Sequence, residues 1–180
     1  MQKILEIYCD GSSRNNGKED SEGGYGICVL EPSETRECGY MLRWTEGAYT
    51  KGTTNNRNEL NALLKALELS QTEYKNYQCV IYSDSAYCVN IFNEWIWNWA
   101  HRNWIRSGNQ PIENLDLIKQ LWEYWKIEWG NFQVKKVSGH AGILGNEIAD
   151  AIASRNMTKL DKIFEENDII LTPKNKLDLF

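Results

Sequence analysis

The sequence predicts an α/β domain in which helices pack against a mixed sheet, and three observations carry that reading. Three strand-length runs follow one another near the start, Lys3 to Cys9, Gly23 to Leu30 and Arg36 to Trp44. After Thr53, apolar stripes at helical spacing alternate with two further strand-length runs, Tyr77 to Tyr82 and Phe132 to Val137. The 180 residues carry enough apolar content for one sizeable core and call for no second.

Ile4, Leu5, Ile7, Tyr8 and Cys9 make the first run, and the turn chemistry of Asp10-Gly11-Ser12 ends it. Asp10 therefore closes a core strand, where a carboxylate either reaches the surface or needs a positive partner. From Gly11 to Glu22 the residues are those of turns and loops. The second and third runs are joined through Glu31-Pro32-Ser33-Glu34, short enough for a hairpin, so the first three strands form an antiparallel meander.

Thr53 to Asn58 supplies capping residues ahead of Leu60, Leu63, Leu64 and Leu67, a helical stripe. Glu59 falls in the first turn, where a favourable charge on the helix dipole and a functional carboxylate read alike. The run Tyr77 to Tyr82 ends at Ser83-Asp84-Ser85 before another helical pattern, so Asp84 repeats the position of Asp10; an aspartate there is also a common N-cap. Trp95, Trp97, Trp99 and Trp104 are interleaved with Asn98, His101, Arg102 and Arg106. That density exceeds what one helix face buries, so some rings pack on a neighbouring helix or face a ligand.

A further helix spans Glu113 to Lys126, with Leu115, Ile118, Leu121, Trp122 and Trp125 as its apolar face. The last run leads into a glycine-rich loop, Ser138 to Asn146, which carries His140, and then a helix from Asn146 to Ser154. Asp150 lies in that helix between Ala149 and Ala151, with low propensity and few local partners, which favours a functional role. Beyond Met157, Leu160, Ile163 and Phe164 extend the helix, and Ile169-Ile170-Leu171 fits an added strand.

The net charge of -5 argues against a protein that coats nucleic acid through bulk charge, without excluding a local groove. There is no cleavable apolar N-terminus and no run long enough to span a bilayer, so a soluble, cytoplasmic chain with no membrane partner is expected; a monomer is the expected state. Five cysteines, an odd number without the paired spacing of a zinc site, read as core residues in a reducing compartment.

Asp10, Glu59, Asp84 and Asp150 each stand beside core-forming residues. Neighbouring strand ends lie about 5 Å apart, so Asp10 and Asp84 can meet side by side. Like charges that close do not both stay ionised without a cation. Oxygen-only ligands select hard ions, Mg²⁺ or Mn²⁺. Four acids around two such ions about 4 Å apart make the arrangement in which one ion activates water and the other steadies the leaving oxygen of a phosphodiester.

Asp10-Gly11-Ser12, Thr54-Asn55-Asn56-Arg57-Asn58-Glu59-Leu60, Ser83-Asp84-Ser85 with Tyr87, Trp95 with Asn98-Trp99 and Trp104, and Gly139-His140-Ala141-Gly142 through Asn146-Glu147 and Asp150 together resemble type 1 ribonuclease H. The resemblance runs in order over roughly residues 3–155. It implies a five-stranded mixed sheet, three antiparallel strands then two parallel, flanked by helices, and an endonuclease that hydrolyses the RNA strand of an RNA/DNA hybrid. The expected domain is residues 1–156, and the extension over 157–180 has no counterpart in the resemblance; covering a sheet edge and docking a partner are both open to it. Asp10, Glu59, Asp84 and Asp150 would bind two Mg²⁺ ions, with Asp10 bridging and Mn²⁺ as a substitute, while His140 would assist proton transfer or product release.

For the substrate, the resemblance implies that the backbone at Gly11 and Ser12 and the side chains of Asn16 and Asn55 meet the minor groove and the 2′-hydroxyls. Thr54 and Asn98 match positions that hold a DNA-strand phosphate, and Trp95 one that packs along the DNA sugars, so little sequence preference is expected. The chain departs from the pattern in its handle, which offers only His101, Arg102 and Arg106 where lysines are usual, so a shallower salt dependence is expected. Ala86 replaces a polar residue that touches RNA, and the charged loop between Asn16 and Gly23 lacks the usual proline. A binding module that kept only the fold would need no clustered carboxylates. A strand-transfer enzyme of the same superfamily would carry a flanking DNA-binding domain, for which 180 residues leave no room.

Overall fold

The apolar run at the start forms β1 (Ile4–Arg14), antiparallel to β2 (Glu22–Pro32), which pairs antiparallel with β3 (Tyr40–Lys51). The computed structural model describes residues 2–16 and 18–170. After helix α1 (Asn55–Gln71) the chain returns as β4 (Gln78–Ser83), parallel to β1. Helices α2 (Ala86–Asn90), α3 (Ile96–His101) and α4 (Leu115–Trp125) precede β5 (Phe132–Lys136), parallel to β4. The sheet order is β3-β2-β1-β4-β5, three antiparallel strands and then two parallel, and α5 (Leu144–Ala153) and α6 (Met157–Glu166) follow.

Alternation along the strands divides the apolar side chains between two faces. Leu5, Ile7 and Cys9 of β1 join Ile27, Val29, Cys79 and Ile81 in a core capped by Leu60, Leu63 and Leu67 of α1 and by Ile118 and Leu121 of α4. Tyr8, Cys28 and Leu30 point the other way, against Ile148 and Ile152 of α5 and Leu160 and Phe164 of α6. Buried on both faces, β1 reads as a continuous apolar run. Cys9, Cys28, Cys79 and Cys88 are buried, Cys38 is partly exposed, and all five are free thiols. Among the described residues no helix is long and apolar enough to cross a membrane.

Several boundaries differ from the sequence reading. β1 does not stop at Asp10-Gly11-Ser12, because β2 goes on supplying partners, Gly11 opposite Tyr25 and on to Arg14 opposite Glu22. The ladder overrides the local turn chemistry. β3 begins at Tyr40 rather than Arg36, since Gly39 turns back in a left-handed conformation (φ 79°) and its N–H bonds the Arg36 carbonyl at 2.9 Å. The connection is therefore longer than the expected hairpin. The helical pattern after Ser85 is interrupted by a π-helical turn, Ile91–Trp95. α6 does not extend α5, because Arg155 takes φ 55° and Asn156 starts a new helix, its side chain accepting the Lys159 N–H at 3.0 Å. Ile169 and Ile170 lie in no strand, and line a groove along edge strand β3 with Tyr40, Leu42 and Trp44; Leu171 lies outside the described residues.

Candidate active site

The last rung between β1 and β4 pairs Cys9 with Ser83, so the next residues, Asp10 and Asp84, emerge side by side where β1 continues and β4 ends. Two helices close on that point from opposite faces. A Cβ on Gly11 would strike the α1 backbone at Asn58 and Glu59, and one on Gly26, opposite Asp10, would strike Ala149 of α5. Only glycine allows either approach. The Gly11 N–H donates to Glu59 Oε2 at 3.0 Å, and Asn58 Nδ2 donates to the Ser12 carbonyl at 2.6 Å, which pins the start of α1 to β1.

Carboxylate oxygens of Asp10, Glu59 and Asp84 consequently lie within 4.8 Å of one another, the first two buried and the third half-buried. Glu59 is the fifth residue of α1, a turn beyond its expected position, and Ser85 rather than Asp84 caps α2, accepting the Cys88 N–H at 3.3 Å. Neither carboxylate is used in holding up a helix end. Burial, then the charges of Glu59, Asp84 and Asp150, push the Asp10 carboxyl far above its ordinary range, while the Gly11 N–H pulls the other way. Burial and then Asp84 raise Glu59 in the same sense. Two like charges 4 Å apart repel by about 4 kcal/mol at an effective dielectric of ~20, more than the ~1.5–3 kcal/mol of a hydrogen bond to a charged group. Neither the Gly11 amide nor the hydrogen bond between Asp10 and Glu59 brings the two carboxyls back to their ordinary range. The cluster's oxygen-only donors and unrelieved repulsion fit a hard divalent cation.

Asp150 stands outside the group that falls within 4.8 Å. It is near enough for its charge to act on Asp10 and Glu59, yet its Oδ2 is held by Lys159 Nζ at 2.6 Å. The expectation that it has few local partners is therefore corrected: α6 brings one, hidden from a local reading by the break at Arg155. Lys159 also pairs with Glu147 at 2.7 Å. Asn146, buried near the start of α5, donates from Nδ2 to Asp84 Oδ2 at 3.2 Å, and its Oδ1 has no hydrogen-bond partner among the described residues. The sequence reading gives Asn58 only a capping role and Asn146 none. For Asn146 a signal existed, since it precedes Asp150 by four residues and so shares its helix face.

His140 is exposed, at φ 53°, beside Gly139, which abuts the Asp84 carboxylate. Among the expected substrate contacts, the Gly11 N–H and the Ser12 carbonyl are engaged within the chain, by Glu59 and Asn58. Asn16 and Asn55 are exposed and adjoin, Asn16 Oδ1 accepting the Asn55 N–H at 2.8 Å. Thr54 caps α1, its Oγ1 accepting the Arg57 N–H at 3.2 Å. Asn98 is exposed, and Trp95 packs at 5.7 Å on Trp99, with which it lines a cavity bordered by Tyr87, Arg106 and Ile112. Trp99, Trp104 and Trp122 pack against the core, whereas Trp95 and Trp97 stay exposed, so the tryptophan-rich segment divides between packing and surface.

A sheet of this order, with acidic side chains gathered where β1 outruns β4, defines a ribonuclease H-like fold. The family model described as RNase H matches residues 2–158. A "Ribonuclease H" of Methylobacillus flagellatus is 35% identical over 164 residues, covering 87% of this chain and 93% of that protein. One of Clostridium botulinum (strain Hall) is 34% identical over 162 residues, covering 89% and 99%. The crystal structure of a type 1 RNase H with the type 2 active-site motif superposes with a TM-score of 0.71 at 24% identity, covering 100% of this chain and 89% of that one, a likeness of fold. The chain belongs to the ribonuclease H family and is a hydrolytic ribonuclease.

Proposed function

We propose that the protein cleaves the RNA strand of RNA/DNA hybrids endonucleolytically by a two-metal-ion mechanism, with little sequence preference, and that Asp10, Glu59, Asp84 and Asp150 hold two Mg²⁺ ions, for which Mn²⁺ substitutes. The observation that carries this reading is the convergence of Asp10, Glu59 and Asp84 within 4.8 Å despite burial and mutual repulsion. A module that only bound nucleic acid would gain nothing from that arrangement. When bound, such ions activate a water and stabilise the leaving oxygen.

The chain's own residues do the rest. Asn146 orients Asp84, and Gly11 orients Glu59. His140, on its exposed loop, exchanges a proton between the reacting phosphate and solvent. Asn16 and Asn55, with Ser12, meet the minor groove, Thr54 and Asn98 hold a DNA-strand phosphate, and Trp95 packs along the sugars. Residues 1–156 form the unit that acts and 157–180 its extension; the protein works as a cytoplasmic monomer, where five free thiols stay reduced.

The test is cleavage of matched RNA/DNA, double-stranded RNA and DNA duplexes in Mg²⁺, in Mn²⁺ and in EDTA. Metal-dependent products from the RNA strand of the hybrid alone are expected. Hybrid binding without any metal-dependent product would leave only the binding module.

A further inference from the structure

Lys159 stands one residue past the stretch matched by the family model, in the first turn of α6. Its place is well defined. Leu160 and Phe164 anchor α6 in the second core, and the Asn156 side chain takes the Lys159 N–H at 3.0 Å. Glu147 and Asp150 lie three residues apart on α5, so they share a face and one ammonium reaches both, at 2.7 and 2.6 Å. The three side chains are partly exposed, and ion pairs of that kind add little to stability. The contact matters because it occupies a carboxylate beside the acidic cluster.

We propose that Lys159 is a positioning residue: a built-in cation that holds the Asp150 carboxylate in the metal-free protein and competes for it, setting the divalent-ion concentration needed to fill the Asp150 side of the site. The inference rests on the reading of Asp150 as a metal ligand. Glu147 makes the exchange feasible. When Asp150 lets go, the ammonium keeps its contact with Glu147, so no charge is left unpaired. No covalent bond changes and no proton moves. The Asp10, Glu59 and Asp84 group contains no lysine, so the two sides of the site fill at different concentrations of the same ion.

The experiment is Mn²⁺ binding to the full chain without nucleic acid, followed by calorimetry and by spin-resonance counting of free ion. Two binding classes are expected, the weaker lost in Asp150→Asn. Lys159→Met keeps the aliphatic stem without the charge and should tighten the weaker class about three- to tenfold, while Lys159→Arg should not. Glu147→Gln, which leaves Lys159 wholly to Asp150, should weaken that class further, and this second variant serves if Lys159→Met fails to fold. In an Asp150→Asn background Lys159→Met should change nothing. If Asp150→Asn removes the weaker class but neither Lys159→Met nor Glu147→Gln shifts it, the competition is refuted and Asp150 stands as a ligand. If Asp150→Asn leaves all binding intact, the ligand reading of Asp150 fails first.

Discussion

The Gly11 N–H and the Glu59 carboxylate meet at 3.0 Å, at the one point where the α1 backbone touches the strand closely enough to exclude a Cβ. Fold and site are coupled through that contact, because the close approach is what carries Glu59 to Asp10. Gly11→Ala should therefore damage both. Pushing α1 outward is overpacking, which costs about 1–3 kcal/mol, and a ~1 Å displacement of a catalytic group costs about a hundredfold in rate. Urea midpoints and hybrid-cleavage rates on the same preparation check this. A near-normal rate would mean that Glu59 need not be held so closely.

Asp10→Asn separates catalysis from stability. Removing this carboxylate should abolish turnover, since it faces both Glu59 and Asp84. In EDTA the same change should raise the melting temperature, because burial and three neighbouring carboxylates disfavour the ionised form that Asn cannot adopt. A gain of about 1–2 kcal/mol, or several degrees, is reasonable for relief of one such charge. Wild-type activity in the variant would overturn the assignment of Asp10, and a lower melting temperature would show that the cluster is not repulsive.

The pH dependence of the metal-free protein follows from the same shifts, with a sign opposite to that of a salt-bridged acid. Asp10 and Glu59 are both raised in the folded state, so the native chain keeps protons that the unfolded chain releases. Their contribution to stability is present below the ordinary carboxylate range near 4 and is lost as pH rises toward the raised folded values. In EDTA the melting temperature should fall between pH 5 and pH 8 by more than in Asp10→Asn. Mg²⁺ should flatten the fall and release protons on binding, which calorimetry in buffers of different ionisation enthalpy would register. A slope identical in the two proteins would place the raised acids elsewhere.

The sheet was legible from the sequence because β1 and β4 are apolar at successive positions and the α1 leucines recur at helical spacing. Where the strands end was not, since at Asp10-Gly11-Ser12 pairing with β2 decides the matter and turn propensity does not. In the site, Asp10, Glu59 and Asp84 stood out as acids bordering core residues. Asn58 did not, because its partner Ser12 is 46 residues away, and Asn146 left only its helical spacing from Asp150, its partner Asp84 being 62 residues away. Lys159 escaped notice because it follows a helix break, and a lysine in a charged amphipathic helix usually faces only solvent.

The tryptophan-rich segment tests how hybrid affinity is distributed. Arg102 and Arg106 are exposed, and Arg106 borders the cavity formed by Trp95 and Trp99, so of the two it is better positioned to meet a backbone phosphate alongside those rings. Replacing both with alanine should raise the Michaelis constant several-fold with turnover nearly unchanged, because a phosphate interaction remote from the carboxylates stabilises ground and transition states alike. Every phosphate left without its arginine should also reduce the slope of log affinity against log salt by about one, and Arg106→Ala alone should account for more of that than Arg102→Ala. Steady-state kinetics at several salt concentrations measure both quantities together. Equal losses in Michaelis constant and turnover, with the salt slope intact, would mean that the segment shapes the catalytic face and does not dock the hybrid.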